Sequence, residues 1–63
     1  MTTDEAIKLA EKYDIIIVEN GSRQCMVGHI ESNIGCWANV DDEQSINDAI
    51  QNVVERLNAR IGS

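Results

Sequence analysis

Cys25, His29 and Cys36 are the soft metal ligands of this 63-residue chain, and the same side chains would supply a nucleophile and its base. Cys25 and His29 lie four strand positions apart, about 13 Å. Zinc holds every ligand about 2.0–2.3 Å from one centre, so this spacing excludes a zinc site. With a two-residue turn at Ser32-Asn33, Cys36 stands opposite His29, the arrangement of a thiol and a general base. No residue pattern supplies an oxyanion hole or an orienting acid, so the thiols are read as small core groups and His29 as an edge residue. Gly28 and Gly35 belong to no glycine-rich turn leading into a helix, which excludes a phosphate loop and leaves a close backbone or ring approach. No catalytic, cofactor-binding or metal-binding residue is expected.

A second set of candidates is acidic. Glu43, Asp48 and Glu55, with Gln44, Gln51 and Asn52 between them, line the polar side of the last apolar-periodic segment. Such a surface can imitate nucleic-acid phosphates and attract the basic groove of a DNA- or RNA-handling enzyme. The plainer reading is a solvated helix face with an acidic start. The net charge of −6 argues against direct binding to nucleic acid or to an anionic membrane, both of which select Lys and Arg. Arg23 is the one basic residue between Asp14 and Asn52.

The elements that position these residues are legible from periodicity. Ile46, Ala49, Ile50, Val53, Val54, Leu57 and Ile61 recur at helical spacing and predict a helix of about five turns, capped by Asp41 or Asp42 and stopped by Gly62. Thr2 and Glu5 fit a capping box ahead of a shorter helix carrying Ala6, Ile7, Leu9, Ala10 and Tyr13. Between the helices, the β-branched run Ile15 to Val18 predicts a strand, and Asn20-Gly21 is the preferred pair for a two-residue hairpin turn. Further strands are expected from Arg23 to about Ile30 and from Ile34 to about Val40. The expectation is one α+β domain over residues 1–63, in the order α-β-β-β-α, with both helices on one face of a three-stranded antiparallel sheet.

Two-residue turns at both hairpins set Val18 opposite Arg23 and Ile30 opposite Gly35. One face then collects Ile16, Val18, Cys25, Val27, Ile34, Cys36, Ala38 and Val40, small groups suited to two approaching helices. The other collects Ile15, Ile17, Met26, Ile30 and Trp37. That second face is too apolar for a wet surface and is expected to contact a protein partner or a second copy.

The stretch "GCWANVDDEQSINDAIQNVVERL" resembles the HicB-like antitoxin domain, whose last strand ends in Gly-Cys and leads through an acidic turn into a helix of the type Ser/Thr-Ile/Leu-x-Asp/Glu-Ala-x-x-Asn. Gly35, Cys36, Ser45, Ile46, Asp48, Ala49 and Asn52 match. The turn is about three residues longer here, Val40-Asp41 replaces the usual Gly-Asp, a helix precedes the first strand, and the DNA-binding segment that often follows the domain is not expected. The resemblance implies binding to a small RNA-cleaving toxin, without catalysis. The element order is also similar to the double-stranded RNA-binding fold, but acids stand where that family has its Lys-Lys-x-x-Lys helix start, so RNA binding is not implied.

The opening "MTTDEAIKLAEK" has no signal-peptide core, and no apolar run approaches the roughly 20 residues that span a bilayer. A cytoplasmic location with two reduced thiols is expected. The functional expectation is a small acidic protein-binding module that is not an enzyme. It is of the inhibitor or accessory type found among phage and mobile-element products, works through its helix-free sheet face and is dimeric. The alternative is an acidic nucleic-acid mimic that inhibits a defence enzyme.

Overall fold

In the computed structural model, residues 2–21 and 23–62 are described, the side chains of residues 61 and 62 excepted. Five elements follow one another: α1 (Thr3–Lys12), β1 (Ile16–Glu19), β2 (Gln24–His29), β3 (Ile34–Asn39) and α2 (Glu43–Gly62). The strands make one antiparallel sheet in the order β1-β2-β3. Both helices cover the same face, as the single apolar stripe on each requires. No described helix is long and apolar enough to cross a membrane.

The capping chemistry is local. The Thr2 hydroxyl accepts the Glu5 amide at 3.3 Å and donates to the Glu5 carboxylate at 3.0 Å, which starts α1. At the other end Asp14 sits in the left-handed region at φ 56°, and the Ile15 amide returns to the Ala10 carbonyl at 2.8 Å. This is a Schellman-type stop, with Ile15 brought back toward the helix. Asp42 caps α2 by accepting the Gln44 amide at 3.0 Å.

The core joins Ala6 of α1 and Ala49, Ile50, Val53, Val54 and Leu57 of α2 to Ile15, Cys25, Val27 and Ala38. Ile46 packs against its margin, and the Ile61 side chain lies outside the described residues. Ile7 falls off the stripe of α1 and is exposed. Among the described residues one polar group is buried with them: Asn47 donates to the Thr3 hydroxyl at 3.2 Å, and Thr3 in turn donates to the Glu43 carboxylate at 2.6 Å. That relay fixes the start of α2 against the start of α1 and satisfies the buried amide.

The hairpins differ from the two-residue expectation, and the difference decides the faces. Glu19 pairs with Cys25, so five residues intervene; His29 pairs with Ile34, so four intervene. Asn20 does not take the positive φ that a type I′ turn demands, and Gly21 alone does, at 84°. In the second loop Asn33 adopts φ 55° and its amide bonds to Ile30. Relative to the expected turns, the second loop gains two residues, which preserves the faces of β2 and β3. The first gains three, an odd number that turns β1 over.

Ile15 and Ile17 are therefore not on the helix-free face. Ile15 is core, 8% exposed. Ile17 points to the helix side, where it remains 46% exposed because the helices pack on each other and on β2 and β3 and leave the β1 edge uncovered.

Asp42→Ala should remove the α2 cap and cost about 1 kcal/mol, lowering the thermal midpoint by roughly 4–8 °C in so small a domain. Asp42→Asn, which retains an accepting oxygen, should keep most of that stability. Thermal unfolding followed by circular dichroism measures both.

Candidate protein-contact face

The helix-free face is built in rows across the three strands. Ile16, Gly28 and Gly35 form one row, and Val18, Met26 and Trp37 form the next. Gln24 and Asn39 close the polar end. No strand position on this face carries a charge. Trp37 is 54% exposed, Val18 51%, and Ile30, in the turn beyond β2, 75%. Side chains of this type are normally buried in a chain of this size, so their grouping on one face distinguishes it from scattered surface apolar residues.

The two glycines shape this face. Gly28 and Gly35 are cross-strand partners and leave a shallow notch of about 430 Å³, walled by Ile16, Met26 and Ile30 with Asn33 at its rim. A Cβ on Gly28 would lie 2.7 Å from the Ile34 carbonyl oxygen, a backbone atom. At Gly35 it would meet the Met26 sulfur at 2.8 Å, which shows that the Met26 thioether leans across Gly35. A flexible thioether over a glycine floor is an adaptable seat for an apolar side chain of a partner.

The groups that might have done chemistry are held apart. Cys36 pairs with Val27, and His29 pairs with Ile34, so the expected opposition of Cys36 and His29 is lost by one two-residue step. His29 Nδ1 accepts the Ser32 amide at 3.2 Å, a structural role in the turn. Arg60 reinforces that turn by donating to the Ser32 carbonyl at 2.6 Å. Both cysteines are free, Cys25 fully buried, and no cluster of metal-ligating side chains occurs among the described residues.

The acidic candidates do not form one surface. Glu43 is turned to α1 through Thr3. Asp48 and Glu55, two turns apart on α2, share a side, each accepting from the glutamine one turn earlier, Gln44 at 2.8 Å and Gln51 at 3.2 Å. The acidic face thus reduces to two carboxylates with neutral neighbours.

Of the five residues expected on the contact face, Met26, Ile30 and Trp37 stand there, and Ile16 and Val18 replace Ile15 and Ile17. The run Ile15-Ile16-Ile17-Val18 has no polar alternation to reveal its faces. One signal was present: an apolar residue directly after a helix stop packs back on that helix, which assigns Ile15 to the core and Ile16 to the other side.

Gly28→Ala should cost about 1–3 kcal/mol, because a backbone atom must move. Gly35→Ala should stay within about 0.5 kcal/mol, since the Met26 side chain can swing away. Urea unfolding of the two variants tests this ordering.

No family model, curated protein or solved structure matches this chain.

Proposed function

We propose that this chain is a protein-binding module that works through its helix-free sheet face, as a homodimer and without catalysis. The observation that carries this is the uncharged apolar face itself, with the Val18–Met26–Trp37 row and the adjoining glycine-floored notch left open. Trp beside an apolar seat is the composition of an interface centre, where few residues carry most of the binding energy. The acidic remainder of the molecule, at net charge −6, favours a basic partner and speeds its approach.

The partner class we favour is a small basic nucleic-acid-handling protein inside the cell, blocked when this face covers its working surface. The support is the charge complement together with the resemblance of residues 34–57 to the HicB-like antitoxin domain. An inhibitor or accessory role of the phage and mobile-element type fits the same size and charge. In the alternative mode, Asp48 and Glu55 would imitate phosphates; they share one side of α2, which is what keeps that mode in play.

Affinity purification from the native host with wild type, Trp37→Ala, Met26→Asp and the double variant Asp48→Lys/Glu55→Lys separates the modes. The partner retained by wild type should bind Trp37→Ala roughly 30-fold or more weaker, be lost with Met26→Asp, and still bind the lysine variant. Loss of binding confined to the lysine variant would establish the mimic instead. Undiminished binding by the two sheet-face variants would refute the proposed surface.

A further inference from the structure

The open edge of β1 is a different feature from the open face. β1 is the first strand of the sheet; it is short and ends in Glu19, but its unpaired side carries no Lys, Pro or bulge. All four of its residues are exposed, although three are Ile or Val.

The hydrogen-bond alternation of the sheet says which groups face outward. The Val40 amide bonds to the Arg23 carbonyl. Continued along the β2–β3 register, this makes Cys25, Val27 and His29 the β2 residues bonded to β3. Met26 and Gly28 therefore bond to Val18 and Ile16. The N–H and C=O groups of Ile17 and Glu19 then point away from the sheet. The Ile15 amide, next in the outward series, is already committed to Ala10.

We propose that a second copy of this chain occupies the edge, β1 against β1, antiparallel and centred on Val18. This names the geometry of the dimer in the functional reading above, and Trp37 takes no part in it. Three registers bring outward-facing groups together. Centring on Ile17 calls on the Ile15 amide that Ala10 holds. Centring on Glu19 sets two carboxylates opposite each other, about 5.5 Å apart at Cα. Centring on Val18 pairs Ile17 with Glu19 of the partner copy twice over, uses every outward N–H and C=O of the two residues, and opposes no like charges. The product is a six-stranded sheet, three strands from each copy. All four helices lie on one side, and the two apolar faces join on the other.

The two Val18 residues form a non-hydrogen-bonded pair about 4.5 Å apart at Cα, within disulfide range. Ile16 of each copy lies opposite Asn20 of the other, so the two Ile16 residues do not meet. Under mild oxidation Val18→Cys should form a covalent dimer, mapped to residue 18 by peptide mass spectrometry, and Ile16→Cys should not. Sedimentation equilibrium of wild type should give a dimer. Ile17→Pro, which removes an outward N–H without touching the β2 ladder, and Val18→Lys, which opposes two ammonium groups, should each give a folded monomer by circular dichroism. Trp37→Ala should remain a dimer, so failure of the partner-binding face and failure of the edge pairing are read separately. Wild type that stays monomeric at millimolar concentration would overturn the proposal and leave the edge to a strand of another protein. So would cross-linking through Ile16→Cys in preference to Val18→Cys, or a dimer that survives in a folded Val18→Lys.

Discussion

The contact between the apolar stripe of α2 and the small residues of β2 and β3 governs the rest of the molecule. Among the described residues Val53 of the helix and Cys25 and Val27 of β2 are the largest fully buried side chains, with Ala38 and Ala49 beside them. Small groups on both sides let the helix lie close to the sheet, and each buried aliphatic side chain contributes about 1.5–3 kcal/mol. α1 leans mainly on α2, held there by Ala6 and by the Asn47–Thr3–Glu43 relay. Two helices used in this way cover two strands. β1 is left with its edge open, and the opposite face of the whole sheet is left bare.

Most of the architecture is legible in the residues because it is set by local chemistry. The helix starts at Thr2 and Asp42, the 3.6-residue stripe and the β-branched run each act over a few positions and are found where the residues place them, while the expected stop of α2 at Gly62 is not seen, since the helix still includes Gly62. The hairpin register was not legible, since it depends on loop conformation and not on the strands. Asn20-Gly21 carries a strong hairpin signal, yet Asn20 declines the left-handed conformation and the loop lengthens by three. An even error would have changed nothing about the faces; an odd one exchanged Ile15 and Ile17 for Ile16 and Val18. β2 and β3 escaped the same fate because their loop lengthened by two.

The contact face was legible to the extent that its composition did not depend on β1. Met26 and Trp37 share a face whether the second loop has two residues or four, because an even change keeps every side chain on its side, although they oppose each other directly only in the longer loop. The notch was not legible, since the direct cross-strand pairing of Gly28 and Gly35 arises only in the longer loop. That same shift separated Cys36 from His29 and gave the imidazole to the Ser32 amide. One loop conformation thus created the glycine-floored notch and dissolved the candidate catalytic pair.

Charge placement ties the bare face to the open edge. All the acids and bases of this chain lie on the helices, in the loops or at Glu19 and His29 on the helix side of the sheet, and none on the helix-free strand positions. A net charge of −6 on the remainder repels random association of two such faces. Pairing at the edge is different in kind: it needs main-chain groups of Ile17 and Glu19 in one register, and backbone alternation admits that register with Val18 at its centre. Edge and face can then be occupied together without competing, since strand addition extends the sheet in its own plane. In the proposed dimer the two apolar faces would adjoin, with only Val18 of each packed against its counterpart. For a domain of this size, whose folding buries only about 60% of the surface its unfolded chain exposes, the proposed pairing of strands would add to the stability of the core.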